Sequence, residues 1–329
     1  MARLALRCVV LALWVLAIGS YPRAQAQDYP TRPVTIVVPL SAGTGMDVIA
    51  RLYGEKLSQS LGKPVVIENK PGAATMLGVA GVANAAPDGH TLVVATSAAL
   101  SLNPTIYKQV PYDPERDLAP VSLYLKSPFI LIVNPALPIQ SVPDLIKYAK
   151  ESATPLTYSS PGTGGLPYLS VELMNQRFGL KMTHVPYRAT PQAVGDVAAG
   201  HVQLSFAEAG ATLALIRDGK LRALAVSSTQ RLPAHPSVPP MAEAANAPGF
   251  ETVSWHVLMA PAKTPRPIVE KLNAEMKRIM SAPDMQKRLS DLGLIPLDPP
   301  SIAETERYIK SETEKWSTLV KRLGLAGSQ

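Results

Sequence analysis

The chain has 329 residues and a formal net charge of +7, from 32 Lys and Arg against 25 Asp and Glu. Its basic residues are scattered and do not interleave with its four Phe and eleven Tyr, so nucleic-acid binding receives little support. Cys8 is the single cysteine of the sequence, and this excludes disulfide staples and thiolate metal sites.

The first 26 residues are predicted to form a signal peptide. Arg3 and Arg7 precede an apolar run at 9–19 that is too short to span a bilayer, and Ala24-Gln-Ala26 is a small-residue cleavage signal. We expect cleavage after Ala26 and export to the periplasm, with a retained membrane anchor as the alternative. The remaining chain of about 300 residues carries a net charge of about +4 and is long enough for two domains.

The segment at 34–47 carries the clearest functional signal. A β-branched apolar run at 34–38, typical of a buried parallel strand, stops at Pro39 and enters a turn of small residues. A helical pattern then begins at Met46 and Asp47. The unpaired N–H groups of such a helix start, together with the helix dipole, suit a carboxylate or phosphate. Similar residues recur at 159–165, and two such facing loops suit a ligand with a carboxylate or a polar group at each lobe.

Strand and helix patterns alternate along the whole chain, which predicts an α/β fold. The order strand–helix–strand–helix–strand at the start predicts parallel pairing with right-handed crossovers. The predicted strands are 34–38, 64–68, 91–95, 129–133, 156–158, 184–187, 203–206, 221–226 and 254–259. The predicted helices are 48–61, 76–85, 142–149, 167–178, 192–199, 211–218, 267–280, 283–292 and 302–323. Two α/β lobes with a ligand cleft outside the carboxyl ends of the strands are the expected architecture.

A series of loop motifs, each weak alone, resembles in the same order the Bug family, the extracytoplasmic solute receptors of tripartite tricarboxylate transporters. The motifs are Tyr29-Pro-Thr-Arg-Pro33, Pro39 to Asp47, Glu68-Asn-Lys-Pro-Gly72, Ala86-Pro-Asp-Gly-His-Thr-Leu92, Asn103-Pro104, Pro111-Tyr-Asp-Pro114, Tyr158-Ser-Ser-Pro-Gly162, His184-Val-Pro-Tyr-Arg188, Gly219 to Ala225, Pro248-Gly-Phe-Glu251, Trp255, and Ala260-Pro261 with Thr264-Pro265.

The resemblance implies a type II periplasmic binding-protein fold whose two lobes close on a small organic anion. Lobe I is expected to comprise 27–126 and 250–329, and lobe II 127–249. A family member delivers its ligand to a membrane permease, or in some cases to a sensor, and performs no chemistry. No cofactor and no metal site are expected, and the protein is expected to be a monomer.

Several positions depart from the family pattern in ways that bear on the ligand. The first loop reads Gly43-Thr44-Gly45 where paired glycines are frequent, and Ala207-Glu208 replaces a frequent aspartate. Ala73 to Thr75 and Ala189-Thr190 also stand where glycines are usual, and a histidine frequent near Tyr168 is absent. A standard dicarboxylate is therefore not assumed.

The predicted ligand-binding residues come from five loops on the cleft edge. They are Ser41, Gly43, Thr44 and Gly45; Thr96 and Ser97; Ser160, Gly162, Thr163 and Gly164; Tyr187 and Arg188; and Glu208. We expect a β-branched residue at Gly45, or a bulky one at Ser160, to abolish binding while leaving the fold intact.

Several of these residues also have a purely structural alternative. The turn at Ser41 to Gly45 is also compatible with a plain strand–helix connection, and Thr96 and Ser97 with a helix cap. Asp47 is expected to cap the turn or to complement the helix dipole, and to pair with Arg51, with contact to an amino group as the alternative if the ligand is an amino acid. Arg188 suits a carboxylate clamp or a solvated surface position, whereas Glu208 suits a ligand ammonium, a helix cap or solvent.

Enzyme interpretations receive less support from the motifs. The five histidines lack metal-ligand spacing, no G-x-S-x-G elbow occurs, and Gly43-Thr-Gly45 lacks the third glycine of a dinucleotide fingerprint. A serine nucleophile at Ser97 or Ser160 has no identifiable base. A periplasmic hydrolase or isomerase, and a ligand-binding accessory of a sensor kinase, remain the alternatives to a transport receptor.

Overall fold

The computed structural model describes residues 29–329, and the predicted signal peptide with its cleavage after Ala26 lies outside them. The strands are β1 (Val34–Val38), β2 (Val65–Asn69), β3 (Thr91–Thr96), β4 (Leu118–Val133), β5 (Thr157–Ser160), β6 (Thr183–Pro186), β7 (Leu204–Glu208), β8 (Arg222–Val226), β9 (Val253–Pro261) and β10 (Ile295–Pro296). The helices are α1 (Gly45–Leu61), α2 (Met76–Ala83), α3 (Asn103–Ile106), α4 (Val142–Glu151), α5 (Leu166–Phe178), α6 (Thr190–Ala199), α7 (Ala209–Arg217), α8 (Met241–Ala244), α9 (Arg266–Met280), α10 (Pro283–Asp291) and α11 (Ile302–Arg322).

The strands in this part of the chain form a mixed sheet in the order β2-β1-β3-β9-β4-β7-β5-β6, and β8 and β10 also pair with β4. β1 pairs in parallel with β2 and β3, and β5 pairs in parallel with β6 and β7. These pairings confirm the predicted α/β class and the parallel start of the chain. Both parallel sets have helices in their connections, as parallel strands require.

The long strand β4 joins the two halves of the sheet. Its first part, up to Pro128, pairs with β9, and its last part, from Phe129, pairs with β7. The predicted lobe boundary at 126/127 lies close to this change of partner, and the division into lobes remains a prediction. The end of α11, assigned to lobe I by that prediction, packs Trp316 and Val320 into a cluster with β4 and α5.

Both faces of the sheet are covered by apolar side chains. In β1, Val34, Ile36 and Val38 belong to one buried cluster, whereas Val37 belongs to the cluster on the opposite face. In the second half of β4 the same alternation separates Leu131 from Ile132. Alternate residues of a strand point to opposite faces, so a continuous β-branched run is what a strand covered on both faces needs. Across residues 29–329, no helix combines the length and apolarity needed to cross a membrane.

Candidate functional site

A cleft of about 520 Å³ brings together segments that are distant in the sequence. Its lining includes the start of α1 with Leu40, the turn after α10, and the strand residues Ser127 and His256. The starts of α6 and α7 complete it. Lys and Arg are absent from its lining, as far as residues 29–329 describe it. The lining comprises Leu40, Thr44, Gly45, Met46, Ile49, Ser127, Thr190, Pro191, Glu208, Ala209, Gly210, Ala211, His256, Leu292, Gly293 and Leu294.

Three helices begin at this cleft: α1 at Gly45, α6 at Thr190 and α7 at Ala209. None of the three preceding residues caps its helix with a side-chain hydrogen bond. The first N–H groups of a helix have no partner within the helix, and they carry the positive end of its dipole. Three uncapped starts on one cleft are an arrangement that suits an anion in the absence of a basic side chain.

Asp47 holds the turn that precedes α1. Its carboxylate accepts hydrogen bonds from the Gly43 N–H at 2.9 Å and from Asn69 Nδ2 at 3.0 Å, and it pairs with Arg51 at 2.9 Å. The hydrogen bond from Arg51 is the main cause that lowers the pKa of Asp47 to about 2. The predicted capping of the turn and the predicted pair with Arg51 are confirmed.

Two of the residues predicted in the first loop are also occupied in maintaining the turn. Gly43 gives its N–H to Asp47 and has φ of +81°, a conformation that glycine adopts without strain. The Thr44 hydroxyl donates to the Ser41 carbonyl at 2.9 Å. Thr44 and Gly45 line the cleft, whereas Ser41 and Gly43 lie outside its lining. Their direct contact with a ligand remains a prediction.

Glu208 is the last residue of β7 and stands on the cleft wall at the start of α7. Its side chain makes no helix cap, so that structural alternative is wrong. Among residues 29–329 its carboxylate has no ion-pair or hydrogen-bond partner, whereas its backbone carbonyl accepts from the Thr212 hydroxyl. Glu208 is exposed, but the surrounding walls remove enough water to raise the pKa of its carboxyl. An acid without a counter-charge thus faces a cleft that favours anions.

The second predicted loop does not line this cleft. Ser160 is fully buried, and its hydroxyl donates to the Gly162 carbonyl at 2.9 Å. Gly164 packs against Ile106 of α3, and the Thr163 carbonyl accepts a hydrogen bond from the Gln329 side chain. Because the Ser160 side chain has no exposed surface, a bulky residue there has to displace its neighbours, and the expectation that such a variant keeps the fold intact remains a prediction. Ligand contact by this loop remains a prediction.

Ser160 has the basic partner that sequence reasoning missed. His184 Nε2 lies 2.7 Å from its hydroxyl oxygen, and burial lowers the pKa of His184. In the part of the chain that the structure describes, no carboxylate bonds to His184, whose ring instead packs against Tyr158 and Tyr168. A serine without exposed surface, paired with an unoriented histidine, lacks the accessible nucleophile and the third group of a catalytic triad.

The remaining predicted residues also lie outside the lining. Thr96 and Ser97 are buried, and the Ser97 hydroxyl lies 3.2 Å from the Ser254 hydroxyl and does not cap the following turn. The Tyr187 hydroxyl donates to Asp196 at 2.6 Å, and Arg188 is exposed beside a shallow hollow. Their roles in binding remain predictions.

The cleft contains residues that sequence reasoning did not select. His256 and Ser127 come from neighbouring strands, and Thr190 with Pro191 begins α6. Pro191 near the first position of a helix was a usable signal for this helix start. His256 had no comparable signal, because one histidine in an apolar strand indicates nothing about which cavity it lines.

The chain is similar to one family model and to several known proteins. Residues 49–325 match the model of the tripartite tricarboxylate transporter family receptor. Protein BugT of Bordetella pertussis is 32% identical over 319 residues, covering 96% of both chains. The structure of Rpa4515 from R. palustris with adipate is 34% identical, with a TM-score of 0.77 over 91% of this chain and 99% of that one. MatC from Rhodopseudomonas palustris with bound malate is 32% identical, with a TM-score of 0.73 over 89% of this chain and 100% of that one.

Proposed function

The chain belongs to the tripartite tricarboxylate transporter receptor family together with Bug proteins, and we propose that it captures a small organic acid in the cleft of α1, α6 and α7. As a member of this family, it is a periplasmic carboxylate-binding receptor of a transporter. The observation that carries the proposal is the convergence of three uncapped helix starts on one cleft. Their N–H groups and dipoles stabilise a carboxylate where no basic side chain is present.

The proposed cycle is closure of two lobes around the acid, followed by delivery to the permease. Ser227 supports a pivot where the chain passes between the two halves of the sheet. Its hydroxyl accepts from the Phe129 N–H at 2.9 Å and donates to the Thr252 carbonyl at 2.6 Å, so it ties the two crossing segments together. A ligand that contacts both walls stabilises the closed arrangement by those extra contacts.

The finer parts of the proposal are export with cleavage after Ala26, a monomeric receptor, and the absence of chemistry on the ligand. The buried state of Ser160 and the unoriented His184 support a receptor without turnover. N-terminal sequencing of the exported protein and its mass in solution check the first two parts.

The central test is titration of the purified chain from Gln27 onward with a panel of mono- and dicarboxylates. We expect saturable one-to-one heats in calorimetry for at least one acid, and no product of that acid by chromatography after prolonged incubation. Failure of every acid to bind refutes the receptor assignment of this cleft. Product formation that is lost in Ser160→Ala identifies an enzyme instead.

A further inference from the structure

The floor of the cleft holds a polar side chain without a partner. His256 lines the cleft from β9 and is only 9% exposed. Its Nδ1 atom is buried and has no hydrogen-bond partner among residues 29–329. A buried polar atom without a partner is costly, but Nδ1 has no surface that a ligand can reach. Nε2 also has no hydrogen-bond partner among residues 29–329 and is not among the fully buried atoms, so it is the ring nitrogen that can meet a ligand group in the cleft.

Two buried tyrosines lie close to His256. The ring of Tyr124 lies 6.1 Å from that of His256, and Tyr53 of α1 lies 5.2 Å from Tyr124. A hydrogen bond between the two hydroxyls contributes to the pKa of each tyrosine. Both residues lie outside the cleft lining and their hydroxyls have no accessible surface, so His256 is the member of this group that a ligand can contact.

These polar groups are neutral. Burial lowers the pKa of His256 to about 4, and burial also raises the pKa of Tyr53 and of Tyr124. A neutral imidazole offers one donor and one acceptor nitrogen, which matches a hydroxyl or an amide. A carboxylate at the same place has no counter-charge, since the lining of this cleft contains neither Lys nor Arg within residues 29–329.

The rest of the lining is mostly apolar. It includes Leu40, Met46 and Ile49 near the start of α1, and Leu292 and Leu294 at the turn after α10. Glu208 of the same lining opposes a second negative charge on the ligand. The lining thus combines helix starts that suit an anion, an apolar surface and a neutral polar side chain.

We propose that this receptor selects a monocarboxylate whose apolar body ends in a neutral hydrogen-bonding group, and that His256 is the residue that recognises this end. The inference rests on the proposed function, because it assumes that the carboxylate lies at the helix starts. It goes further by naming the ligand class and the residue that discriminates it from dicarboxylates.

The test uses acids that share an apolar body and differ in the group at its far end. Hexanoate, 6-hydroxyhexanoate and adipate form one such series; benzoate, 4-hydroxybenzoate and terephthalate form another. We expect the hydroxy acid to bind about tenfold more tightly than the unsubstituted acid, the factor that one net hydrogen bond supplies. The dicarboxylate is expected to bind at least tenfold more weakly than the hydroxy acid, because its second charge is unpaired.

Substitution of His256 separates recognition from packing. His256→Phe keeps an aromatic ring and is expected to bring the hydroxy acid and the unsubstituted acid to equal affinity. His256→Gln retains hydrogen-bonding groups and is expected to restore part of the preference. His201→Phe, at a histidine exposed away from the cleft, is the matched control and is expected to bind as wild type. Thermal unfolding of each ligand-free variant verifies folding.

Two results overturn the inference while the proposed function stands: a dicarboxylate that binds more tightly than its hydroxy acid, or a hydroxyl preference that persists in His256→Phe. Equal wild-type affinity for hydroxy and unsubstituted acids also overturns it, and identifies the polar groups near His256 as a site for structural water. Failure of all acids to bind refutes the proposed function itself.

Discussion

Gly45 offers the sharpest perturbation of the binding cleft. It is the first residue of α1, it lines the cleft, and a Cβ built on it meets no atom within 4 Å. Its φ does not lie in the left-handed region, so a side chain causes no backbone strain there. Gly45→Val is therefore expected to fold normally and to place two methyl groups where the acid approaches the helix start.

The expected loss of affinity follows from the contacts that valine displaces. A hydrogen bond to a charged group contributes about 1.5–3 kcal/mol, so exclusion of the carboxylate from one N–H weakens binding by about 10- to 100-fold. The stability change is expected to stay below about 0.5 kcal/mol, as for a substitution in open space. Gly45→Ala, with a single methyl group, is expected to give an intermediate affinity.

Calorimetric titration and thermal unfolding, carried out on the same protein samples, measure the two quantities separately. Gly81→Val is the matched control, because Gly81 is an exposed helical glycine of α2 whose Cβ also meets open space, far from the cleft lining. Wild-type affinity in Gly45→Val would refute the assignment of the α1 start as the carboxylate site. An equal loss in Gly81→Val would show that the effect is not local.

Three further perturbations examine the charge, the cleft edge and the pivot. Because the pKa of Glu208 is raised, affinity for a carboxylate is expected to fall as the pH rises through the pKa of this side chain and its charge develops. In Glu208→Gln this pH dependence is expected to disappear. Affinity at pH 7 is then expected to rise about fivefold, the effect of removing roughly 1 kcal/mol of repulsion. A Cβ added at Gly293 would lie 2.6 Å from the Ala209 Cβ, which is too close. Gly293→Ala is therefore expected to lower the free energy of unfolding by about 1–3 kcal/mol, in addition to the strain of the positive φ, and to weaken binding. Ser227→Ala leaves the Phe129 N–H and the Thr252 carbonyl without this partner and is expected to cost about 2 kcal/mol in urea unfolding.

Each of these three has a control or an opposing outcome. A loss of affinity in Glu208→Gln would mean that Glu208 binds a ligand ammonium group. Gly249→Ala shares a positive φ with Gly293 but its Cβ meets open space, so equal destabilisation of both would remove the contact with Ala209 as the cause. Ser317→Ala, at an exposed hydroxyl of α11, is the reference for Ser227→Ala, and equal costs would contradict the role assigned to Ser227.

Local patterns predicted most elements within one to three residues. The β-branched run, Pro39 and the small-residue turn define β1 and the start of α1, because the cause of each lies within a few neighbouring residues. The first part of β4 was missed, since Pro120, Ser122, Lys126 and Pro128 interrupt its apolar pattern. Its strand character depends on pairing with β9, more than 120 residues later in the chain.

For the cleft, too, the sequence predicted some features and only the structure showed the others. The sequence by itself determined that a helix starts after the small-residue turn with Thr44 and Gly45 at its beginning, because turn and helix chemistry are local, and from this it predicted a place for an anion. It also marked Glu208 as unusual. Only the tertiary structure decided that α6 and α7 begin on the same cleft, that Ser160 is buried against His184, and that His256 lies on the cleft floor. The physical reason is that strand register and the packing of distant segments decide which cavity a side chain lines, and no local pattern encodes them.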